Sequence, residues 1–292
     1  MKKSLPPAAA SLRHTTLVSA GELAGRLADL DWLVVDCRFD LSDREAGTRA
    51  WQAGHIPGAI HADLERDLSA PVTPKTGRHP LPPIGTFVAT LSRWGVTGGT
   101  QIVAYDGGNS AYAARLWWML HYLGHDSVAV LDGGYAAWLE EGHAISNASV
   151  TRRPGHFVAR PRPEMLCDAA GVAEALARGG LVVDVRGAER FAGKVEPLDT
   201  VAGHVPGAVN LPFLLNLDEK SRFRPKAELA ELWRVRTGLA GGSAPICMCG
   251  SGVTACQALL SLEVAGHIGG RLYAGSWSEW IRDPARPIAR DA

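Results

Sequence analysis

The sequence lacks an excess of charge of either sign, because 30 Lys and Arg residues are matched by 30 Asp and Glu residues. Proteins that bind nucleic acid or anionic lipid need surplus basic side chains to neutralise phosphates. The balance therefore argues against a nucleic-acid partner and favours a small-molecule substrate. No apolar run reaches the roughly 18 residues needed to cross a bilayer, so we expect no membrane partner.

Cysteine is also scarce, with five in 292 residues. A small, odd number of irregularly spaced cysteines does not build the disulfide framework of a secreted domain. The first 16 residues make a poor signal peptide, because Pro6, Pro7 and Arg13 interrupt them before any apolar segment forms. These absences predict a protein of the cytoplasm, a reducing compartment.

The two halves of the chain repeat the same motifs in the same order. Leu-Val-Val-Asp occurs within residues 32–38 and again within 180–186, and Gly-His-(Ile/Val)-Pro-Gly-Ala occurs at 54–59 and at 203–208. Segments 102–106 and 131–138 likewise correspond to 246–249 and 272–280. The repeat is far longer than that of a solenoid. It predicts two domains of one kind, at residues 1–146 and 164–292, joined by a Pro-containing linker at 147–163.

Short β-branched apolar runs alternate with stretches that have helical spacing. We predict strands over 33–36, 102–105, 128–131, 181–185 and 245–248, and helices over 20–30, 111–123, 172–178 and 254–265. This alternation is typical of an α/β fold in which each domain is an open parallel sheet flanked by helices. In such sheets, ligands bind beyond the carboxyl ends of the strands.

Cys249 lies at such a place, between a predicted strand and a predicted helix. Two glycines within the next three residues let the backbone amides turn inward, so that they form an anion-binding nest at the helix N-terminus. That environment favours thiolate, the nucleophilic form of cysteine. The predicted nest consists of Gly250, Ser251, Gly252, Val253 and Thr254. The alternative is a small buried apolar cysteine, but the matching residue in the first half is Asp106, so only one half carries the thiol.

Together these motifs resemble those of the tandem-domain rhodaneses, which include thiosulfate sulfurtransferase and 3-mercaptopyruvate sulfurtransferase. The paired Asp-x-Arg strands, the paired Gly-His-x-Pro-Gly-Ala segments, the loop at Cys249 and the closing segment 272–280 carry a resemblance that spans nearly the whole chain. It implies two rhodanese-like domains, of which only the second is catalytic. It also implies that Cys249 receives sulfane sulfur as a persulfide, which cyanide or a thiol acceptor such as thioredoxin or glutathione then removes, with no cofactor.

The loop sequence also bears on the sulfur donor. In the family, Cys-Gly-(Ser/Thr)-Gly-Val-Thr accompanies mercaptopyruvate and Cys-Arg-Lys-Gly-Val-Thr accompanies thiosulfate, and this chain has the first form. A neutral loop suits a monoanionic 2-oxo acid, whereas a dianion gains from a cationic loop. Mercaptopyruvate is therefore the favoured donor, with thiosulfate:cyanide sulfurtransfer as the alternative.

The resemblance also implies two arginines that hold the substrate of the mercaptopyruvate enzymes. Arg190 matches the first, but the second falls near Asp199, where the chain has no arginine. Lys194 is a candidate replacement, although lysine lacks the planar fork of a guanidinium and a solvated surface residue is the simpler interpretation.

Some members of the family use a serine, a histidine and an aspartate near the loop for acid–base chemistry. Ser251 matches the serine, His55 the histidine and Asp43 an upstream acid. Imidazole suits proton transfer near neutral pH. The alternative for His55 is that it holds a Pro-Gly bend, as His204 does in the second half.

Other classes remain open to different degrees. A cysteine phosphatase needs an arginine six residues after its cysteine, and Ala255 stands there. A non-catalytic sulfur-carrier or regulatory module describes the first half better than the second. Cys247 and Cys256 flank the nucleophile without a second cysteine pair or a His pair, so we expect no metal site. Cys256 is expected in the core, with a redox role as the alternative.

Overall fold

A computed structural model describes residues 13–239 and 244–291 as two units of the same topology. The first unit contains the strands β1 (Leu17–Val18), β2 (Trp32–Asp36), β3 (Ile60–His61), β4 (Gln101–Tyr105) and β5 (Val128–Leu131) and the helices α1 (Ala20–Ala24), α2 (Ala46–Ala53), α3 (Ile84–Arg93), α4 (Ala111–Tyr122) and α5 (Gly134–Glu140). The second unit contains the strands β6 (Leu166–Cys167), β7 (Val182–Asp184), β8 (Val209–Asn210), β9 (Ile246–Met248) and β10 (Arg271–Tyr273) and the helices α6 (Ala169–Ala177), α7 (Ala188–Phe191), α8 (Lys226–Thr237), α9 (Thr254–Ala265) and α10 (Ser276–Trp280). Short 3₁₀ turns lie at Pro163–Met165 and Phe213–Asn216.

Both sheets are parallel and have the same strand order. The first runs β1-β5-β4-β2-β3 and the second β6-β10-β9-β7-β8. The central strands β2 and β4 are buried along their whole length, as expected of parallel strands covered on both faces. The predicted pair of open parallel sheets flanked by helices is therefore confirmed.

The two units share one core along α4 and α9. These helices pack against each other, and their apolar side chains, among them Trp117, Trp118 and Leu259, belong to a single buried cluster. Each helix directly follows the loop at the carboxyl end of its central strand. Residues of the first unit can therefore reach the loop that carries Cys249.

The segment predicted as a linker, residues 147–163, lies along the first unit. The Gly155 amide donates to Ser92 O at 2.8 Å, and Arg160 N donates to Leu123 O at 2.8 Å. Arg152 donates to the carbonyls of Trp32 and Leu30, each at 2.9 Å. Main-chain hydrogen bonds and the Arg152 side chain thus bind the segment to the first unit. The proposed boundary between the domains lies after this segment.

Helix boundaries differ from the predictions at two places. The helix expected over 20–30 ends at Ala24, and hydrogen-bonded turns follow it to Asp29. The helix expected from residue 172 begins at Ala169, because the Asp168 side chain caps Gly171 N at 2.8 Å. Of the N-terminal stretch considered as a signal peptide, Pro6 and Pro7 lie outside the described residues. In the part of the chain that is described, no helix is long and apolar enough to span a bilayer.

Candidate active site

Cys249 directly follows β9, and hydrogen bonds of its main chain fix its position. Its amide donates to Ser276 Oγ at 3.0 Å, and its carbonyl accepts from Trp277 N at 3.0 Å. Its Sγ accepts a hydrogen bond from Gly252 N at 3.1 Å. The start of α10 therefore holds the loop, and one loop amide already points at the sulfur.

Gly252 has a backbone conformation that requires glycine. Its φ is +77°, and a Cβ placed there would lie 2.3 Å from Ala274 O. A side chain would both strain the backbone and collide with the strand-to-helix turn. Gly250 has no positive φ, but guanidinium groups crowd the space above it, as described below.

The first unit shows what this type of loop binds. Asp106 occupies the place of Cys249, and the helix starts five residues later in both units. The Asp106 carboxylate accepts from the amides of Gly108, Ser110 and Tyr112 at 3.0 Å each, and from Ala113 N at 3.2 Å. In this unit the amide nest is therefore filled by an anion from its own chain.

The corresponding amides of the second unit are not filled in this way. Ser251, Val253 and Ala255 stand at the positions of Gly108, Ser110 and Tyr112. No acceptor for their amide hydrogens is found within residues 13–239 and 244–291. Because a thiol side chain has no carboxylate to offer, this nest can receive an anion attached to Cys249 or brought by a substrate.

A cavity of about 260 Å³ opens over this loop. Both units line it, with Leu41, Leu64, Arg78, His79, Asn109, Ala111 and Tyr112 from the first and Arg186, Gly187, Arg190, Leu198, Phe213, Cys249, Gly250, Ser251, Val253 and Thr254 from the second. Arg190 and the loop residues are thus brought together, as expected. Arg78 and His79 of the first unit also line the cavity, and the sequence did not reveal them.

His79 is the histidine that contacts Ser251. Its Nδ1 lies 2.8 Å from Ser251 Oγ, and both residues are buried. Burial, together with the nearby guanidiniums of Arg115 and Arg78, lowers the His79 pKa to about 3. The imidazole is therefore neutral at physiological pH, and its tautomer decides whether Nδ1 donates to the serine oxygen or accepts from the serine hydroxyl.

The structure corrects the expectation for His55 and Asp43. The ring nitrogens of His55 lie 2.7 Å from Trp51 O and 3.2 Å from Ala148 O. The imidazole therefore makes structural contacts with main-chain carbonyls away from the cavity. Asp43 is exposed and paired with Arg49. Neither lines the cavity. The motif histidine holds its turn, and a histidine from the loop between β3 and α3 lies at the site instead.

Three arginines line the cavity, but they differ in how fully they are paired. Arg186 is almost completely buried and donates to both oxygens of Asp184 and to Gly203 O. Arg190 binds Glu196 at 2.6 Å and Asp199 at 3.3 Å. Arg78 also forms an ion pair with Asp199.

Lys194, the candidate for a second cation, is exposed and does not line the cavity. The structure therefore corrects that expectation too. The second accessible cation beside Arg190 comes from the first unit, because Asp199 holds Arg78 at the place where the resemblance implied an arginine.

Arg115 of α4 lies beneath the loop and is fully buried. It donates to Gly252 O at 3.0 Å, His79 O at 3.0 Å and Leu68 O at 3.3 Å. A single side chain of the first unit thus ties the nucleophile loop to the segment that carries His79.

The neighbouring thiols of Cys247 and Cys256 are buried and do not line the cavity. Burial raises the pKa of Cys256 to about 12 and also raises that of Cys247. Cys256 Sγ donates to Gly252 O at 3.3 Å. Cys256 therefore lies in the core, as expected, while Cys249 alone of these three lines the cavity.

Comparison with known proteins decides the family. The profile of the rhodanese-like domain matches residues 19–141 and again residues 168–283. The chain belongs to the rhodanese family. Both matches fall on the units described above, so this rhodanese is of the tandem-domain type. Its relatives, described next, are named as sulfurtransferases and show that it is a sulfurtransferase.

Several relatives match this rhodanese over almost their whole length. A Pseudomonas aeruginosa protein described as a probable 3-mercaptopyruvate sulfurtransferase is 49% identical over 276 residues, covering 94% of this chain and 97% of the relative. The Escherichia coli 3-mercaptopyruvate sulfurtransferase is 34% identical, covering 91% and 95%. A rat thiosulfate sulfurtransferase is also 34% identical, covering 84% of each chain.

Solved structures agree with the sequence matches. The crystal structure of the Escherichia coli 3-mercaptopyruvate enzyme SseA superposes with a TM-score of 0.80 at 32% identity, covering 91% of this chain and all of SseA. The 3-mercaptopyruvate sulfurtransferase from Leishmania major also gives 0.80 at 30% identity, covering 91% and 74%.

Proposed function

We propose that this rhodanese moves sulfur from 3-mercaptopyruvate to a thiophilic acceptor through a persulfide on Cys249. The observation that carries the proposal is the comparison of the two loops. The nest of the first unit is filled by Asp106, whereas the same nest in the second unit surrounds a thiol and opens into a cavity. The relatives named for mercaptopyruvate support the choice of donor.

In the first half-reaction, the Cys249 thiolate attacks the sulfur of the donor. An S–S bond forms, the C–S bond breaks, and its electron pair passes to the carbon, which becomes the enolate of pyruvate. A proton then converts the enolate to pyruvate. The loop amides and the α9 N-terminus stabilise the persulfide anion on the enzyme.

Ser251 is the proposed donor toward the substrate's carbonyl oxygen. Its hydroxyl lines the cavity, and its Oγ lies 2.8 Å from Nδ1 of neutral His79. In the tautomer that carries its proton on Nδ1, His79 donates to Oγ, and the serine hydroxyl donates to the substrate oxygen as negative charge develops there. Arg190 binds the substrate carboxylate. In the second half-reaction, cyanide or a thiol such as thioredoxin or glutathione attacks the outer sulfur and releases the Cys249 thiolate, in the reducing cytoplasm.

Thiosulfate is the second candidate donor, and the arginines around the cavity favour it. Arg78 and Arg190 are both partly exposed there, and guanidinium groups bind sulfur oxyanions as well as carboxylates. A neutral loop and the carboxylates of Glu196 and Asp199 act against a dianion.

The test is the ratio of kcat/KM for 3-mercaptopyruvate to that for thiosulfate, with cyanide as the common acceptor. We expect a ratio above ten. A ratio below one would make thiosulfate the donor, and activity with neither would indicate a carrier or regulatory module. Cys249→Ser is expected to abolish turnover, while Cys256→Ser, beside the same loop, retains it.

A further inference from the structure

We propose that Arg115 of the first unit stabilises the thiolate of Cys249 by holding and polarising the loop peptide between Gly252 and Val253. Arg115 is thus a positioning residue supplied by the unit that lacks the nucleophile. This inference rests on the proposed function and deepens it, because the thiolate is the nucleophile of the first half-reaction and the leaving group of the second.

Arg115 is a buried cation without a carboxylate partner. Its side chain is fully buried, and in the part of the chain that the structure describes it forms no ion pair with an Asp or a Glu. Its hydrogen bonds go to the carbonyls of Leu68, His79 and Gly252, and its Nε is buried with no partner among the same residues. Because removing a charge from water is costly, this guanidinium favours a negative charge close to it.

The groups that can supply that charge are thiols. Burial lowers the pKa of the Arg115 guanidinium, and negative charge on Cys256 and Cys249 raises it. Burial also raises the pKa of Cys256 to about 12, so this thiol stays protonated at neutral pH. Cys249 lines the cavity, where its proton can leave. The thiolate of Cys249 is therefore the anion that Arg115 favours.

A single peptide group connects Arg115 to the nest around the sulfur. Arg115 Nη1 donates to Gly252 O at 3.0 Å, and the same peptide group carries the N–H of Val253. The peptide is trans, so this N–H points away from the carbonyl and away from Arg115, on the side of the nest. A charged donor on the carbonyl polarises the peptide and strengthens the hydrogen bond that its N–H gives.

The first unit shows where this N–H is directed. The matching peptide there joins Asn109 to Ser110, and Ser110 N donates to the Asp106 carboxylate at 3.0 Å. Asp106 occupies the position of Cys249 in the repeat. The N–H that Arg115 polarises is therefore the one that reaches the charged atom of the loop.

The two units differ in how this peptide is supported. Among the described residues, no hydrogen bond to Asn109 O is found. Arg115 is the fifth residue of α4, and the fifth residue of α9 is Ala258, so the second unit returns no arginine to the loop of the first. Sulfur is a weaker hydrogen-bond acceptor than a carboxylate oxygen. The guanidinium thus lies only beneath the loop that has to stabilise a charge on sulfur.

Other charged or titratable groups also surround Cys249. They are Arg78, His79, Tyr112, Arg186 and Arg190, the carboxylates Asp184, Glu196 and Asp199 that pair with the arginines, and the thiols of Cys247 and Cys256. All of them stay in place when Arg115 alone is substituted. Burial and the charge of Arg115 lower the pKa of His79 to about 3, so the measurements are repeated in a His79→Gln background.

The first experiment follows the thiolate without any sulfur donor. The rate of Cys249 alkylation by iodoacetamide, a neutral reagent, is measured from about pH 5 to about pH 10, and intact mass confirms a single adduct. In Arg115→Met, and in Arg115→Gln, which keeps an amide donor without the charge, we expect the pH of half-maximal rate to rise by at least one unit. The maximal rate at high pH is expected to be no lower than in wild type, because a less acidic thiol gives a more nucleophilic thiolate. Arg115→Lys keeps the charge and is expected to show less than half of that shift.

Two control variants separate charge from packing. Leu116→Ala removes a buried side chain from the next position of α4, and Arg152→Met removes an arginine that also donates to main-chain carbonyls. Both are expected to leave the pH of half-maximal rate unchanged.

The second experiment uses steady-state transfer of sulfur from 3-mercaptopyruvate to cyanide. Arg115 does not line the cavity, so Arg115→Met is expected to change KM less than twofold. Its kcat is expected to fall at least tenfold at pH 7 and to recover most of that loss at pH 9, where the thiolate forms without help from the guanidinium. A distorted site would lose activity at both pH values.

A pH of half-maximal alkylation within about 0.3 units of wild type in Arg115→Met or Arg115→Gln would overturn the inference. An equal shift in Leu116→Ala or in Arg115→Lys would also overturn it, because the shift would then follow packing or hydrogen-bond geometry and not charge. Failure of the proposed function is distinguishable. A wild-type protein that transferred no sulfur from mercaptopyruvate would contradict that function, while the alkylation profile would still report whether Arg115 stabilises the thiolate.

Discussion

The loops after β4 and β9 differ most consequentially at one residue, Asp106 in the first and Cys249 in the second. The repeat exposed this difference in the sequence, because both residues directly follow a buried strand and precede a helix by the same distance. His79 could not be found in this way. It meets Ser251, 172 positions away, across the contact between the units, and no periodicity or motif marks it. Arg78 reaches Asp199 over a separation of 121 positions.

The low pKa of His79 has a consequence for stability. The folded imidazole has a pKa of about 3 against 6.5 for the free group. Between pH 3 and pH 6.5 the unfolded chain binds a proton at this histidine that the folded chain does not bind. The contribution of His79 to the free energy of unfolding is therefore fully present above pH 6.5 and is lost as pH falls toward 3. Glutamine does not titrate in this range. We therefore expect the difference in free energy of unfolding between wild type and His79→Gln to shrink as pH falls from 7 to 4.

Urea unfolding at several pH values checks this prediction. His156→Gln, at an exposed histidine, is the control and is expected to parallel wild type. A difference between wild type and His79→Gln that stays constant from pH 7 to pH 4 would contradict the buried, neutral state of His79.

The packing of α4 against α9 places the two loops on the same seam. Apolar spacing predicted helices over 254–265 and 111–123. The structure has α9 at Thr254–Ala265 and α4 at Ala111–Tyr122, so both predictions are confirmed. Arg115 is the arginine of α4, and it is fully buried. Nothing in the sequence distinguishes it from a solvated arginine, because its three carbonyl partners are brought to it only by the tertiary fold.

Arg115→Met is expected to destabilise the protein by about 3 kcal/mol, because it leaves buried carbonyls without donors. The matched control is Arg152→Met. Arg152 also donates to two carbonyls, but solvent can replace it there, so we expect a loss below about 1 kcal/mol. Urea denaturation measures both, and equal losses would refute the structural role of Arg115.

Within the described residues, the molecule is two copies of one topology that meet around the cavity over Cys249. The sequence predicted the duplication, since repeated motifs keep their order, and it predicted neither how the copies face each other nor that residues 147–163 bind the first unit. Both depend on contacts between distant segments. The contact between the two units also affects Glu263 of α9, because burial and the negative charge of Asp126 in the first unit raise its pKa.

Burial, with a smaller contribution from Asp126, raises the Glu263 pKa to about 7 from an ordinary 4.5. As pH rises from 4.5 to 7, the unfolded chain releases this proton first, so the stability that Glu263 contributes below pH 4.5 is lost through that window. Glu263→Gln is expected to unfold at a higher temperature than wild type at pH 8 and to differ little at pH 4.5. Glu231→Gln, at an exposed glutamate, is the control, and a Glu263→Gln gain that is the same at both pH values would contradict this account.

The central claim is that Cys249 carries the sulfur, and the intact mass of the protein tests it most directly. Wild type, Cys249→Ser and Cys256→Ser are each incubated with 3-mercaptopyruvate in the absence of an acceptor. The intact mass of each protein is then measured by mass spectrometry. We predict one added sulfur on wild type and on Cys256→Ser, removed by cyanide, and none on Cys249→Ser. An added, cyanide-labile sulfur on Cys249→Ser would contradict the account.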